Sequence, residues 1–148
     1  GALAGYRLQD VAVEVYDGKS HPVDSSETAF RIAGRMAFKK AFLAAHPVLL
    51  EPILAVVLSV PSDYTSRALQ LISGKRGQIL GYEGKAGWSG WDEIRAHIPQ
   101  GEIHDLIVNL RSLSQGTGFF EWAHDHLQEV PDRLAQAIVD KYREAAAG

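Results

Sequence analysis

An apolar, β-branched run at Ile53–Val60, closed by Pro61, begins the pattern that most constrains this chain. The run predicts a strand, and Ser62 can cap a helix that follows it. A second strand is predicted at residues 78–84, a third at 94–98, a second helix from residue 99, and a fourth strand at 117–123. The order strand-helix-strand-strand-helix-strand is that of a ferredoxin-like split βαβ, which predicts an α+β fold.

The first third of the chain has a different pattern. Alternating valines predict a half-buried strand at Gln9–Tyr16, and Asp17-Gly18 indicates a turn. A long amphipathic helix follows, capped by Asp24, Ser25 or Ser26 and ended by His46-Pro47. One strand and one helix cannot cover two faces of a sheet, so we expect this part to need partner strands. After the split βαβ, Pro131 fits the first turn of a last helix.

Composition narrows the class of protein. The 148 residues, 46% of them hydrophobic, can form one domain or one domain and part of another. No apolar run reaches the roughly 18 residues of a membrane span. The absence of cysteine excludes disulfides, thiolate catalysis and cysteine-based zinc sites, and fits a cytoplasmic protein. A net charge of −3 argues against bulk electrostatic binding of nucleic acid but leaves local basic patches open.

Two glycine-containing segments each have two interpretations. The chain contains no GxxxxGK[ST] motif, so we predict no phosphate-cradling loop. Residues 73–77, Ser-Gly-Lys-Arg-Gly, follow a predicted helix, so they indicate a helix stop or a phosphate-backbone contact. Arg111–Gly116 indicates a helix C-cap, or an arginine that holds helix-end carbonyls or a phosphate.

The histidines are less informative. In a strand, His124 and His126 would share a face, with Asp125 between them in the sequence. This short cluster offers two imidazoles and one carboxylate, whereas zinc usually has three or four ligands, so we predict a surface role and no metal site. His21 follows a turn, where spacing alone favours an exposed loop histidine and a recognition residue equally.

Taken in order, several segments resemble the C-terminal part of elongation factor G, a ribosomal translocation GTPase. The second half of its domain IV is similar to the segments Tyr16-Asp17-Gly18, His21, Val23–Glu27 and Ala29-Phe30. Pro47–Ile53 resembles the junction to domain V. Domain V is similar to four further segments: Arg76–Ile79, Leu110–Gly116, His126 and Glu129–Pro131. The resemblance covers nearly the whole chain in the same order.

The resemblance implies two domains and a partner. Residues 1–49 would be a partial domain IV-like unit of ribosomal-protein α/β type, and 50–148 a ferredoxin-like domain V with a C-terminal helix. The partner would be the ribosome, through ribosomal RNA and ribosomal proteins, with no membrane. By resemblance the contacting residues are Lys19, Ser20, His21 and Pro22 in a tip loop, and Arg76, Arg111, Ser114 and Gln115.

The resemblance also bears on chemistry. The chain would be a fragment without enzymatic activity or cofactor, and GTP and magnesium would be bound by a domain of the full-length protein. Thr117 stands where the family usually has arginine, and residues 88–92 and 118–122 are unusually aromatic, which indicates a divergent paralogue. Two alternatives are a stand-alone ferredoxin-like regulatory or binding module, and a hydrolase using His124, Asp125 and His126.

Overall fold

The structure, a computed structural model, describes residues 3–9, 11–15, 18 and 26–148. After residue 26 the described chain contains four helices and four strands, and β2 and β3 follow one another without a helix between them. The elements are α1 (Glu27–Ala44), β1 (Leu50–Pro61), α2 (Thr65–Gly74), β2 (Gln78–Gly84), β3 (Trp91–Pro99), α3 (Ile103–Leu113), β4 (Phe119–Glu129) and α4 (Asp132–Ala147). Short 3₁₀ turns, Ser62–Tyr64 and Gln100–Glu102, precede α2 and α3. In the described part of the chain, no helix combines the length and apolarity needed to cross a bilayer.

Residues 50–129 form one compact unit, called here the ferredoxin-like unit. Its four strands lie in the order β2-β3-β1-β4, and every neighbouring pair is antiparallel. This order, with α2 and α3 connecting β1 to β2 and β3 to β4, is the split βαβ arrangement. The predicted α+β ferredoxin-like fold is therefore confirmed.

The core of this unit lies between one face of the sheet and the two helices. Alternate side chains of β1 and β3 point to this face, as the two-residue period of a strand requires. They pack against α2 and α3 and are almost completely buried. The buried residues are Leu54, Val56, Leu58, Val60, Ala68, Ile72, Ile94, Ala96, Ile98, Leu106 and Leu110. The opposite face, called here the open face, includes His97 and Arg95 of β3.

The sequence predicted the elements of this unit, but most of them differ from the predicted ranges at their ends. β1 begins three residues earlier than predicted, and β3 extends from Trp91 to Pro99. β2 begins and ends where predicted. Ser62 does not cap α2, because a 3₁₀ turn intervenes and no side-chain hydrogen bond caps the helix. β4 begins two residues later than predicted and continues to Glu129, because it pairs with β1 along Leu50–Ser59.

The described residues of 1–49 and 130–148 form the second compact unit, called here the terminal unit. Ser26 accepts a hydrogen bond from the Ala29 amide and so caps α1 as expected. Leu49, Val130 and Val139 form a small buried cluster, against which Leu3 and Ala4 pack. The Val130 amide donates to the Leu49 carbonyl at 2.9 Å.

The strand predicted at Gln9–Tyr16 is not formed by the described residues 9 and 11–15, which are irregular and exposed. A strand is stable only with a hydrogen-bonded neighbour, and none pairs with this segment among the described residues. Every residue of α1 is likewise exposed or half-buried, although its sequence is amphipathic. That this part needs partner strands stays a prediction.

Candidate functional site

The predicted contact residues of the tip loop, Lys19, Ser20, His21 and Pro22, lie outside the described residues. Their role therefore stays a prediction. The other four predicted contact residues, Arg76, Arg111, Ser114 and Gln115, lie in the ferredoxin-like unit, at the ends of its two helices.

Arg76 lies just after α2 and is held by two carboxylates. Its guanidinium donates two hydrogen bonds of 2.9 Å to the Glu51 carboxylate and lies 3.5 Å from Glu102. Hydrogen bonding to Glu51 raises the pKa of Arg76 above its ordinary value. A fork-to-fork pair of this kind fixes the plane of the guanidinium. The side chain thus links the start of β1 to the turn before α3, and is engaged within the protein.

The backbone around Arg76 shows why the helix ends there. Arg76 has φ +56°, and the Gly77 amide donates to the Ile72 carbonyl at 2.9 Å. A left-handed residue followed by this six-residue hydrogen bond is a Schellman ending, which satisfies carbonyls that the helix leaves free. Of the two interpretations of residues 73–77, the helix stop is therefore confirmed.

The end of α3 repeats this geometry. Gln115 has φ +53° and Gly116 has φ +81°, and the Gly116 amide donates to the Arg111 carbonyl at 2.8 Å. The Arg111 and Gln115 side chains are exposed. In the described part of the chain Arg111 forms no ion pair, in contrast to Arg76. The Schellman ending thus presents a cation and an amide to solvent on a defined backbone.

Ser114 supports this ending from inside. Its side chain is fully buried, and its hydroxyl donates to the Leu110 carbonyl at 2.6 Å and accepts from the Gly118 amide at 2.9 Å. A Cβ on Gly118 would lie 2.8 Å from this hydroxyl and 3.1 Å from Val60, so the strand approaches the helix too closely for any other residue. Burial corrects the expectation that Ser114 makes an external contact, and we assign it a positioning role.

The structure does not bring the two arginines together. Arg76 pairs with Glu51 at the start of β1, whereas the end of α3 lies beside Val60 near the end of the same strand. Val60 lies nine positions after Glu51 along the extended strand, which corresponds to roughly 30 Å. A partner that contacts both arginines must therefore extend along the unit.

An aromatic cluster was not predicted as a single feature. The ring centroids of Trp88, Trp91 and Phe119 are 5.1–5.8 Å apart, and the Lys85 ammonium lies 5.5 Å from Trp88 and 5.3 Å from Phe119. The same ammonium donates to the buried Ser59 hydroxyl at 3.0 Å. Sequence analysis identified both aromatic segments, but only strand pairing brings them into contact. Trp88 and Trp91 pack edge to face, and Phe119 is tilted against both of them.

A second unpredicted cluster lies near the other end of the sheet, on its open face. His97 Nε2 lies 3.6 Å from Asp125 Oδ2, and His126 Nδ1 hydrogen-bonds the same oxygen at 2.5 Å. The two imidazole centroids are 5.5 Å apart. The hydrogen bond between His126 and Asp125 raises the pKa of His126 and lowers the pKa of Asp125, relative to their ordinary values.

A bulge explains why this cluster differs from the predicted one. The register of β4 on β1 shifts between Ile53, which pairs with His126, and Leu54, which pairs with His124. Asp125 is the extra residue of the bulge, so His124 and His126 pair with consecutive residues of β1 and point to opposite faces. The expectation that His124 and His126 share a face is therefore wrong. The sequence analysis missed His97 because only the order of the strands in the sheet shows that β3 and β4 both flank β1.

Two protein-family models match the chain. The model for elongation factor G, domain IV, matches residues 1–46, and the model for the elongation factor G C-terminus matches residues 48–138. The two matches follow one another along the chain.

Individual proteins agree with the models. An elongation factor G-like protein of Synechocystis sp. is 53% identical over 131 residues, which are 88% of this chain and 20% of that protein. Elongation factor G of Aquifex pyrophilus is 42% identical over 139 residues, which are 94% of this chain and 20% of that protein. A crystal structure of a Thermus thermophilus protein has a TM-score of 0.68 at 37% identity, covering 87% of this chain and 19% of that one. The chain thus spans about one fifth of the length of these curated relatives.

Proposed function

This chain belongs to the elongation factor G family, over the regions of domain IV and the C-terminus, and on that basis we propose that it engages the ribosome for a translational GTPase. GTP and magnesium are bound by another domain of the full-length protein, which acts in the cytoplasm. Ribosomal RNA and ribosomal proteins are the partners. Residues 1–49 are the domain IV-like part, and 50–148 the domain V-like part with its C-terminal helix.

The end of α3 is the observation that carries this proposal. Arg111 and Gln115 are exposed on a backbone fixed by a Schellman ending and by the buried Ser114 hydroxyl. An arginine without an internal carboxylate partner can donate to a phosphate, and an amide can bond a base edge or a ribose hydroxyl. Arg76, held by Glu51 and Glu102, shapes the opposite end of the unit.

The ribosomal step of the full-length protein is proposed to be that of a divergent paralogue within the family. Identity is 53% to the elongation factor G-like protein and 42% to the elongation factor G reported above. The aromatic cluster of Trp88, Trp91 and Phe119 joins the two segments, 88–92 and 118–122, whose aromatic content the resemblance marks as unusual for the family. We therefore propose a paralogue whose ribosomal step differs from ordinary translocation.

Ribosome binding of the full-length protein carrying Arg111→Ala tests the contact. Loss of one phosphate contact should weaken binding and reduce the slope of log K against log salt by about 1. The matched control is Arg133→Ala, an exposed arginine on α4 with no ion pair in the described part of the chain. If both variants bind with the wild-type salt slope, Arg111 makes no such contact.

The tip loop is tested separately with His21→Ala. A loop imidazole can stack on a base or donate to a phosphate without being buried in its own protein. We expect an unchanged melting temperature, intact GTP binding by the full-length protein, and a slower ribosomal step. A normal ribosomal rate would remove this loop from the proposal and leave the family membership untouched.

A further inference from the structure

We propose that His97, Asp125 and His126 form a binding site for one first-row transition-metal ion, with Zn²⁺ as the natural occupant. A ligand atom from each residue lies within 4.8 Å of the other two. The three residues come from two strands, β3 and β4, that flank β1 on opposite sides. The site is independent of the ribosomal contacts proposed above.

The interatomic distances fit an ion of this size. Two ligand atoms, each about 2.1 Å from a tetrahedral ion, lie about 3.4 Å apart. His97 Nε2 and Asp125 Oδ2 are already separated by 3.6 Å. His126 Nδ1 is 2.5 Å from the same oxygen, so the pair must open by roughly 1 Å as the ion takes the place of the bridging proton.

His126 is also oriented in the way that metal-binding imidazoles usually are. Its second nitrogen, Nε2, lies 3.2 Å from the Gln128 side-chain oxygen, to which it donates. A hydrogen bond at one ring nitrogen fixes the tautomer and the ring plane and directs the other nitrogen at the metal. The remaining nitrogen, Nδ1, faces the Asp125 carboxylate.

The donor set selects the kind of ion. Two imidazoles and one carboxylate suit Zn²⁺, Co²⁺ or Ni²⁺, whereas Ca²⁺ and Mg²⁺ prefer oxygen ligands alone. All three side chains are partly exposed, at 24–40%, so an ion can enter from solvent and keep water in a fourth position. A bound ion would connect β3 to β4 across β1 and stabilise the sheet.

Co²⁺ is the appropriate probe, because its visible absorption reports a tetrahedral site directly. The 148-residue chain, freed of any affinity tag and stripped with EDTA, should bind one Co²⁺, and Zn²⁺ should displace it. His97→Ala and Asp125→Asn should each weaken binding by more than the roughly 10–100-fold typical of losing an outer-shell partner. Zn²⁺ should raise the melting temperature of the wild-type chain and not that of either variant.

His124→Ala is the matched control, since His124 neighbours the site in β4 but points to the other face. It should bind Co²⁺ as the wild type does. Tryptophan fluorescence verifies that each variant is folded, and Asp125→Asn preserves side-chain shape in case His97→Ala does not fold. The proposal is overturned if the wild type gives no tetrahedral Co²⁺ spectrum. It is equally overturned if the His124→Ala chain loses as much affinity as the Asp125→Asn chain.

Discussion

The Ser114 hydroxyl connects the end of α3 to the backbone before β4, and Ser114→Ala tests its contribution to stability. The hydroxyl is fully buried and accepts the hydrogen bond from the Gly118 amide. Its other partner, the Leu110 carbonyl, also accepts from the Ser114 amide at 3.0 Å and so keeps a donor after the substitution. The loss therefore falls on the Gly118 amide, which is left without an acceptor in a partly buried position.

The magnitude follows from that orphaned donor. Leaving a buried donor unsatisfied costs about 1–3 kcal/mol. Residues 50–129 fall in the size range of roughly 60–100 residues, for which each kcal/mol lowers the melting temperature by about 4–8 °C. We therefore expect Ser114→Ala to lower the melting temperature by at least about 4 °C.

Tryptophan fluorescence during urea or thermal unfolding measures this loss. All three tryptophans, Trp88, Trp91 and Trp122, lie in the ferredoxin-like unit, so their emission reports its unfolding. Ser112→Ala is the matched control, because it removes an exposed hydroxyl from the same helix and should change stability by no more than about 0.5 kcal/mol. Equal losses for the two alanine variants would refute the role assigned to Ser114.

The comparison with Gly116→Val revises an expectation from the sequence alone. Gly116 has φ +81°, and valine there should cost roughly 1–2 kcal/mol. From the sequence alone, a glycine after a helix end indicates a positive φ, so Gly116→Val would be expected to destabilise the domain more than Ser114→Ala. Because Ser114 is buried and doubly hydrogen-bonded, we now expect the loss from Ser114→Ala to equal or exceed it.

Two further predictions concern stability elsewhere in the chain. Arg76→Ala should cost about 1.5–3 kcal/mol, because it removes a bidentate bond to the half-buried Glu51. The control is Lys75→Ala, which removes only a 3.6 Å contact to the exposed Asp105 and should cost less than about 1 kcal/mol. Equal urea midpoints for the two variants would contradict a stabilising role for the Arg76–Glu51 pair. In hydrogen exchange at low protein concentration, α1 should exchange faster than β1, because none of its residues is buried. Equal protection of α1 and β1 would be evidence against a lower local stability of α1.

The elements of the ferredoxin-like unit and their order follow from the amino-acid sequence alone. The apolar run at Ile53–Val60 and the alternation around Ile94 and Ile98 predicted strands, because side-chain period and branching are local properties. The order of those elements then allowed few antiparallel arrangements, and the split βαβ is the one observed. The positive φ at Gly116 was also predictable, since glycine commonly follows a helix end.

The chemistry that each side chain is free to perform depends instead on the tertiary structure. Arg76 and Arg111 look alike in the sequence, but Glu51 and Glu102 engage the first, whereas the second is exposed. Long-range pairing sets such differences, and local patterns carry no information on it.

The histidine cluster shows the same limit most clearly. A one-residue bulge in β4 turns His126 away from the face of His124 and toward His97, which is distant in the sequence. Side chains alternate along a strand with a period of two, so one inserted residue reverses every later assignment. Periodicity predicts which residues share a face only while the register is regular, and the register is set by the partner strand.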